Sequence, residues 1–252
     1  MFDSTPDVSH VEQLSQIIRY VQITDGQCTI EESFVDFIES HKKTGQGLAM
    51  EVIEKLQADG LDINDCRGQR YDNVSTMSGK YKGVQAQIRN KNSLARYVPC
   101  MAHTLNLVGV HDAEVSPMMI TFFGTVQKIF TYFSGSTGRW EKLMSVLETT
   151  LKGHTDTRWS SKRQAVTSVN NQFPKVYGVL KSISGDSSLN SETVEGATSL
   201  LKHIDFNFIC LLEFWSGILI KIDFVNKSLQ AKDITINIAT KLLESLSSSL
   251  ND

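Results

Sequence analysis

The sequence predicts an α+β fold, with a mixed sheet and helices in the first part of the chain and helices alone in the rest. Three observations lead to this prediction. A hairpin pattern lies within residues 13–30, a strand, turn and helix pattern spans residues 66–107, and helical patterns fill most of the chain after Cys100. Because 40% of the 252 residues are hydrophobic, the chain can bury one large core or two smaller ones.

The hairpin is predicted from two runs of residues that favour strands. Residues 13–24 carry β-branched and aromatic side chains in partial alternation, and the pattern resumes at residues 28–30. Asp25-Gly26 lies between the runs, and this dipeptide is typical of a two-residue hairpin turn. We therefore predict two antiparallel strands joined at this turn.

A helix and a further strand are predicted after the hairpin. Residues 44–58 change to helical spacing, with Leu48 and Val52 on one face, and Gly60 is placed to end the helix. The next strand is expected near residues 63–67, so the chain crosses from the hairpin through a helix to this strand.

Asp72 is the first candidate for a functional residue. It follows the strand predicted before it and precedes a helix, which is where open α/β sheets place their ligand chemistry. With Asn73 beside it, Asp72 could equally be a helix N-cap, because Asp and Asn accept hydrogen bonds from the free N–H groups of the first turn. A second short strand, at residues 95–98, leads into a helix opened by Pro-Cys-Met-Ala-His.

The rest of the chain is predicted to be helical, with breaks at glycines and polar residues. Residues 184–191 are predicted to form a loop. The predicted helices span residues 101–110, 117–133, 140–151, 155–168, 175–183, 192–204, 206–230 and 234–250.

The charge balance limits how the chain could bind nucleic acid. The net charge is −3, so no global basic field attracts DNA, and any contact would come from a local patch. One local cluster could follow a phosphate backbone or could equally be a solvated helix face. This cluster comprises Lys80, Lys82, Arg89, Lys91 and Arg96.

No membrane contact is predicted. The longest apolar stretch, residues 208–220, is interrupted by Glu213. It is also shorter than the roughly 20 residues that a membrane-spanning helix needs.

Two short motifs have both a binding and a structural interpretation. Cys100-x-x-His103 suggests zinc, but structural zinc needs four ligands and the partner spacing is absent, so we expect these residues to fix a strand-to-helix junction instead. Arg158-Trp159 is the better nucleic-acid candidate, because a guanidinium pairs with phosphate and an indole stacks on an unpaired base. The alternative is that Trp159 is buried at the junction of two domains.

Taken together, the motifs resemble the catalytic domain of hAT-superfamily transposases, and most closely the zinc finger MYM-type protein 1-like group. The matching segments occur in the expected order and cover most of the chain. They are FDSTPD at residues 2–7, GQRYDNVSTMSG at residues 68–79, CMAHTLNL at residues 100–107 and TRW at residues 157–159.

The resemblance implies a ribonuclease H-like half-core in residues 1–112, followed by a helical region in residues 113–252 that belongs mainly to a truncated insertion domain. In that fold the fourth strand lies beside the first, which would bring Asp3 and Asp72 together at one end of the sheet. The resemblance therefore implies that these aspartates are catalytic and hold Mg²⁺ or Mn²⁺, with carboxylates within about 8 Å of each other. It also implies that Trp159 helps to hold a DNA end.

For function, the resemblance implies a nuclear fragment of a DNA transposase or of a transposon-derived protein. The family's chemistry is metal-dependent DNA cleavage and strand transfer, but its third carboxylate and its dimerisation segment are expected beyond Asp252. We therefore expect this chain to be inactive as given, and the resemblance implies a homo-oligomer formed through the absent dimerisation segment. Arg70 and Thr76 stand where relatives often carry glycine and asparagine. The alternative is a domesticated, non-catalytic nuclear module that binds DNA or proteins.

Overall fold

The computed structural model divides the chain into two compact units, and each is described by itself. Unit 1 comprises Met1–Thr104 with Gln230–Ile234, and unit 2 comprises the remaining residues. The structure describes residues 2–6, 12–155 and 159–251, with the backbone alone for residues 2–6 and 109–115.

Unit 1 combines two small sheets with helices, and unit 2 is built from helices, so the α+β prediction is confirmed. The elements of unit 1 are β1 (Phe2–Pro6), β2 (Glu12–Thr24), β3 (Gln27–Ser40), α1 (Gly45–Ala58), β4 (Gly68–Gln69), α2 (Ser75–Ser78), α3 (Val84–Lys91), β5 (Arg96–Tyr97) and the start of α4 (Met101–Val115). Those of unit 2 are the rest of α4, α5 (Pro117–Ser134), α6 (Thr137–Met144), α7 (Trp159–Asn170), α8 (Phe173–Ser184), α9 (Ser191–His203), α10 (Phe206–Ser228) and α11 (Ile236–Asn251).

The predicted hairpin is confirmed and is longer than expected. β2 pairs antiparallel with β3, and β1 pairs antiparallel with β2, with Asp3 opposite Ser15. Asp25 and Gly26 have φ angles of 52° and 77°, the left-handed values that a tight two-residue turn requires at both positions. The turn chemistry of this dipeptide therefore fixes the hairpin.

Helix α1 follows the predicted pattern. The Thr44 side chain caps its start by accepting a hydrogen bond from the Gly47 N–H at 3.1 Å. Gly60, with φ of 74°, follows its last turn, as predicted for a glycine that ends a helix. The apolar face of α1 packs into the core of unit 1, which comprises Leu14, Leu48, Ala49, Val52, Leu56, Tyr71, Met77, Val84, Ile88 and Ala95.

The strand predicted at residues 63–67 is wrong. A 3-10 turn occupies Ile63–Asp65, and β4 begins only at Gly68. The Asn92 side-chain amide donates to the carbonyls of Ile63 and Cys66, each at 2.8 Å. A side chain from a distant part of the sequence therefore satisfies carbonyls that a strand would have paired in a sheet.

The expected pairing of the fourth strand with the first is also not formed. Among the described residues, β1 is hydrogen-bonded to β2, whereas β4 pairs in parallel with β5 in a separate sheet. β1 also continues beyond Asp3 to Pro6. Because β4 has only two residues, it has few backbone groups with which to pair a second strand.

In unit 2, most predicted helices are confirmed within a few residues, and the loop between α8 and α9 is confirmed. The helix expected at residues 140–151 instead ends at Met144, because the Gln172 side chain accepts the N–H groups of Glu148 and Thr149 and holds this segment as a loop. The helix expected from residue 155 begins at Trp159. Within the described part of the chain, no helix has the length and apolar character that a membrane span needs.

Candidate functional site

Asp72 lies at the carboxyl end of a short parallel ladder. Hydrogen bonds run from the Val98 N–H to the Gln69 carbonyl at 2.9 Å and from the Cys100 N–H to the Tyr71 carbonyl at 3.2 Å. The ladder therefore extends past the two-residue strands, and Asp72 is the first residue beyond it. This is the position that the sequence predicts for a ligand-binding carboxylate.

The carboxylate of Asp72 is half-buried and partly engaged. Its Oδ1 atom accepts a hydrogen bond from the Val74 N–H at 3.3 Å, which forms a local turn, while Val74 itself takes the N-cap position of α2. The Tyr97 hydroxyl donates to the Asp72 carbonyl at 3.3 Å. Burial raises the pKa of Tyr97, and the nearby charge of Asp72 raises it further. Asp72 thus shapes the turn between β4 and α2, and among the described residues its Oδ2 atom accepts no hydrogen bond.

The neighbouring motif residues anchor the turn rather than face solvent. The buried amide of Gln69 donates to the carbonyls of Gln85 and Ala95 at 3.1 and 2.9 Å. The amide of Gln85 in turn donates to the Gly79 carbonyl at 3.2 Å, and Met77 lies in the core. The glutamine, methionine and glycine of the GQRYDNVSTMSG segment therefore have structural roles.

Two glycines between α2 and α3, and a third at the start of α1, are in close contact with neighbouring backbone atoms. A Cβ atom on Gly83 would lie 2.4 Å from the backbone nitrogen of Gly79, and one on Gly79 would lie 2.5 Å from the Ser75 carbonyl oxygen. A Cβ on Gly45 at the start of α1 would lie 2.3 Å from the Lys82 carbonyl oxygen. Because no side chain fits at these positions, the backbone of residues 79–83 is held in one compact turn.

This turn presents a basic and aromatic tripeptide to solvent, which we call the KYK loop: Lys80, Tyr81 and Lys82. The Tyr81 side chain is 79% exposed, and the Lys80 ammonium lies 5.6 Å from the centre of its ring. Residues 66–104 contain seven lysines and arginines but only one acidic residue, Asp72. This segment is therefore basic, although the net charge of the whole chain is −3. All five members of the predicted basic cluster are exposed.

The second strand-to-helix junction contains Cys100 and His103. The Arg70 guanidinium donates to the Cys100 sulfur at 3.5 Å, and the Asn73 amide donates to the Thr104 hydroxyl at 2.8 Å. These contacts connect the segment after β4 to the first turn of α4. His103 is half-buried.

Metal ligation at Asp72 is not tested by the described residues. Among the described side chains, no group of three or more His, Cys, Asp or Glu could hold a metal ion. The side chain of Asp3 lies outside the described residues, so its distance from Asp72 stays a prediction. One carboxylate would leave Mg²⁺ mostly with water ligands. The described residues alone therefore do not make up a two-metal site, and Mg²⁺ or Mn²⁺ binding stays a prediction.

Trp159 lies in the core of unit 2, where it is 2% exposed. Its indole stacks on Trp215, with ring centres 5.9 Å apart and planes 19° apart, and its backbone N–H donates to the Asn106 side chain at 3.4 Å. Arg158 lies outside the described residues. In this arrangement Trp159 packs the helical core, and its predicted contact with DNA would require the ring to become exposed.

Tyr81 is not among the site residues predicted from the sequence. The signal was present, because an aromatic residue between two lysines is itself framed by glycines in the segment GKYKG. Its significance depends on the exposure of the side chain, which is 79% in the structure and which no local pattern reports.

The first third of the chain matches a known family. Residues 1–83 match the model of the family described as DUF4371: ZMYM1/FAM200, RNase-like domain. This match covers β1 to α2 and ends within the turn that carries the KYK loop.

Two curated proteins are similar to this chain over nearly its whole length. Both are called 52 kDa repressor of the inhibitor of the protein kinase. The protein from Homo sapiens is 23% identical over 267 aligned residues, and the protein from Mus musculus is 24% identical over 275. The alignments cover 99% of this chain and 34% of each relative, so the chain spans about a third of their length.

Proposed function

We propose that this chain derives from a hAT-type DNA transposase and acts in the nucleus as a DNA-binding part of a transposon-derived protein, without cleaving DNA itself. The match of residues 1–83 to an RNase-like domain family supports this origin. The ordered motifs extend the resemblance to Trp159. The relatives are named for repression rather than for an enzymatic reaction, which favours a binding role.

The exposed KYK loop is the observation that carries the proposal. Lysine ammonium groups neutralise backbone phosphates, and an exposed aromatic ring offers a face on which an unpaired base can stack. The close packing of Gly79 and Gly83 holds the loop in place before DNA binds. Little conformational entropy is then lost on binding. Single-stranded or unpaired DNA is therefore the ligand class that suits this surface best.

The local role of Asp72 supports binding without cleavage. Two-metal phosphoryl transfer needs ligands on both metals, whereas one oxygen of Asp72 is already engaged by the Val74 N–H. If a metal does bind, Asp72 and Asp3 are the residues that would hold it. Arg158 and Trp159 remain a second proposed DNA contact, but the burial of Trp159 makes Tyr81 the primary contact.

The binding experiment compares two exposed tyrosines. Fluorescence anisotropy with a labelled single-stranded oligonucleotide measures the dissociation constant of the purified chain and of Tyr81→Ala. We expect the substitution to cost about 1–3 kcal/mol of binding free energy.

Tyr20→Ala is the matched control. Tyr20 is also exposed, but it lies opposite Glu31 on the hairpin, where Lys232 is already paired with that carboxylate. The control should bind like the unchanged chain. Equal affinity of all three proteins, or no binding at all, would contradict the proposal.

A further inference from the structure

Helix α10 carries an unusually apolar outer face. Phe206, Phe214 and Phe224 are 78%, 58% and 65% exposed, and Ile220 is 50% exposed. All four recur at helical spacing along one side of the 23-residue helix. Contiguous exposed patches of large apolar side chains are uncommon on monomeric proteins and often mark interfaces. This face of α10 is therefore a candidate interface.

The outer face is distinct from the core-forming face of the same helix. Phe208, Leu212, Leu219 and Ile222 point the other way and are buried. The exposed phenylalanines therefore lie mostly outside the packing of unit 2, and among the described residues only the ring of Phe214 contacts an aromatic residue of that unit, Trp215, with ring centres 6.0 Å apart. This surface belongs to the helical unit and does not depend on DNA binding by the KYK loop.

Gly217 lies at the middle of the stripe. A Cβ atom at this position would meet nothing within 4 Å, so no contact inside the described chain explains the glycine. On a helix surface, a glycine lets a second helix approach closely. Gly217 is therefore the position at which a second helix can approach α10 most closely.

The residues on either side of Gly217 form a self-complementary pattern. In an antiparallel pair of α10 helices with the two-fold axis at Gly217, a residue a given number of positions before Gly217 faces the residue the same number after it in the partner. Phe214 then faces Ile220, three positions out. Cys210 faces Phe224, seven positions out. Apolar groups therefore meet apolar groups within seven positions of Gly217, whereas Phe206, eleven positions out, faces Ser228.

The charged residues within the stripe are also related by the two-fold axis at Gly217. Glu213 and Lys221 lie four positions before and four positions after Gly217, so each would face its opposite in the second copy, twice per pair. Within the chain, one Glu213 oxygen accepts from the Asn170 amide at 3.0 Å, and the Lys221 ammonium donates to the Ser249 carbonyl at 3.2 Å. Among the described residues, these bonds use one carboxylate oxygen of Glu213 and one ammonium hydrogen of Lys221. The other oxygen and the other two hydrogens can bond to a second copy of the chain.

The exposed area suits a modest dimer. A phenylalanine side chain can bury roughly 150–250 Å², so the exposed parts of the three phenylalanines alone offer about 400 Å² per copy. Two copies with their isoleucines would bury about 1,000 Å² in total, the lower bound for a specific interface.

We propose that the outer face of α10 binds a second copy of this chain, as an antiparallel helix pair crossing at Gly217. The occupant is another copy rather than a different protein, because the apolar residues and the charges within seven positions of Gly217 are complementary to themselves about one point. A different partner would have no need for this symmetry.

A cysteine placed at the axis tests the register. At an interhelical distance of about 8–10 Å and a helix radius of about 2.3 Å, the two residues at the crossing lie about 4–5 Å apart, which a disulfide can span. Gly217→Cys should therefore give a covalent dimer under mild oxidation. Gly178→Cys is the matched control, since Gly178 is also an exposed helical glycine with nothing within 4 Å.

The unchanged chain serves as a second control. It carries Cys210 on the same face, but in the proposed pair the two copies of this cysteine lie about 21 Å apart along the helices, at 1.5 Å per residue. The unchanged chain and Gly178→Cys should thus stay uncrosslinked.

Charge reversal tests the pairing without disturbing the core. In sedimentation analysis across a range of concentrations, Glu213→Lys and Lys221→Glu should each weaken the dimer, and the double reversal should restore it. Phe224→Asp should raise the dimer dissociation constant about 30-fold or more, with the helical content unchanged by circular dichroism.

Three results would overturn the proposal. A chain that stays monomeric at every concentration would show that this face serves another protein or another part of a longer product. A dimer that Phe224→Asp leaves intact would lie elsewhere. A dimer in which Gly217→Cys forms no more disulfide than Gly178→Cys would have a different register.

Discussion

Gly83 lies so close to Gly79 that a Cβ atom on Gly83 would be 2.4 Å from the Gly79 nitrogen and 2.6 Å from its carbonyl oxygen. No side chain fits there without a backbone shift. We therefore predict that Gly83→Ala lowers the free energy of unfolding by about 1–3 kcal/mol, the usual cost of overpacking. Urea unfolding followed by circular dichroism measures this change.

Gly178→Ala is the control for this substitution, because Gly178 lies in an open position in α8. It should leave stability unchanged or raise it by up to about 1 kcal/mol, since alanine favours a helix over glycine. If both substitutions had the same effect, the close packing of the glycines would not hold the KYK loop.

Trp159→Ala should destabilise unit 2. The indole is buried and stacks on Trp215, so its removal leaves a large cavity that typically costs about 3–5 kcal/mol. Trp159→Phe should cost less, since the Nε1 atom has no hydrogen-bond partner among the described residues. Thermal unfolding followed by tryptophan fluorescence measures both. A stable Trp159→Ala chain with weakened DNA binding would instead favour a direct DNA contact.

The stability of unit 1 should fall at alkaline pH. Burial raises the pKa of Tyr71 above its ordinary value near 10. The unfolded chain then loses the proton at a lower pH than the folded chain does, so this contribution is complete below about pH 10 and is lost as the pH rises further. In urea titrations at increasing pH, Tyr71→Phe should show a shallower decline than the unchanged chain. Parallel declines would contradict this explanation.

Asp72→Ala tests whether this carboxylate is catalytic or structural. We expect a loss of about 0.5–1.5 kcal/mol in stability, because the bond to the Val74 N–H disappears. We also expect no metal-dependent nicking of labelled DNA ends by the unchanged chain, with either magnesium or manganese. Asp65→Ala removes an exposed aspartate before β4 and is the control. Nicking that only Asp72→Ala abolishes would show an active site.

Much of the fold could be predicted because the decisive chemistry is local. Asp25-Gly26 encodes the hairpin turn, and Thr44 and Gly60 delimit α1. The 3-10 turn at Ile63 could not be predicted in this way. It depends on the amide of Asn92, 29 positions away, and no local pattern reports such a contact.

The position of Asp72 at the carboxyl end of the ladder could be predicted, because an acidic residue after a strand is a local signal. The functional role of Asp72 stays a prediction. The exposure of Tyr81 and the burial of Trp159 both depend on packing between distant segments. The resemblance therefore implies a DNA contact at Trp159, whereas our proposal places the primary contact at the exposed Tyr81.

The salt dependence of DNA binding tests whether the lysines of the KYK loop contact the DNA backbone. Anisotropy titrations with a single-stranded oligonucleotide at several salt concentrations would compare the unchanged chain with the double variant Lys80→Gln, Lys82→Gln. We expect the double variant to bind more weakly and its plot of log affinity against log salt to be shallower by about 1.4, since each lost phosphate contact removes about 0.7. An unchanged affinity and slope would contradict it, because the lysines of the KYK loop would then not contact the DNA backbone.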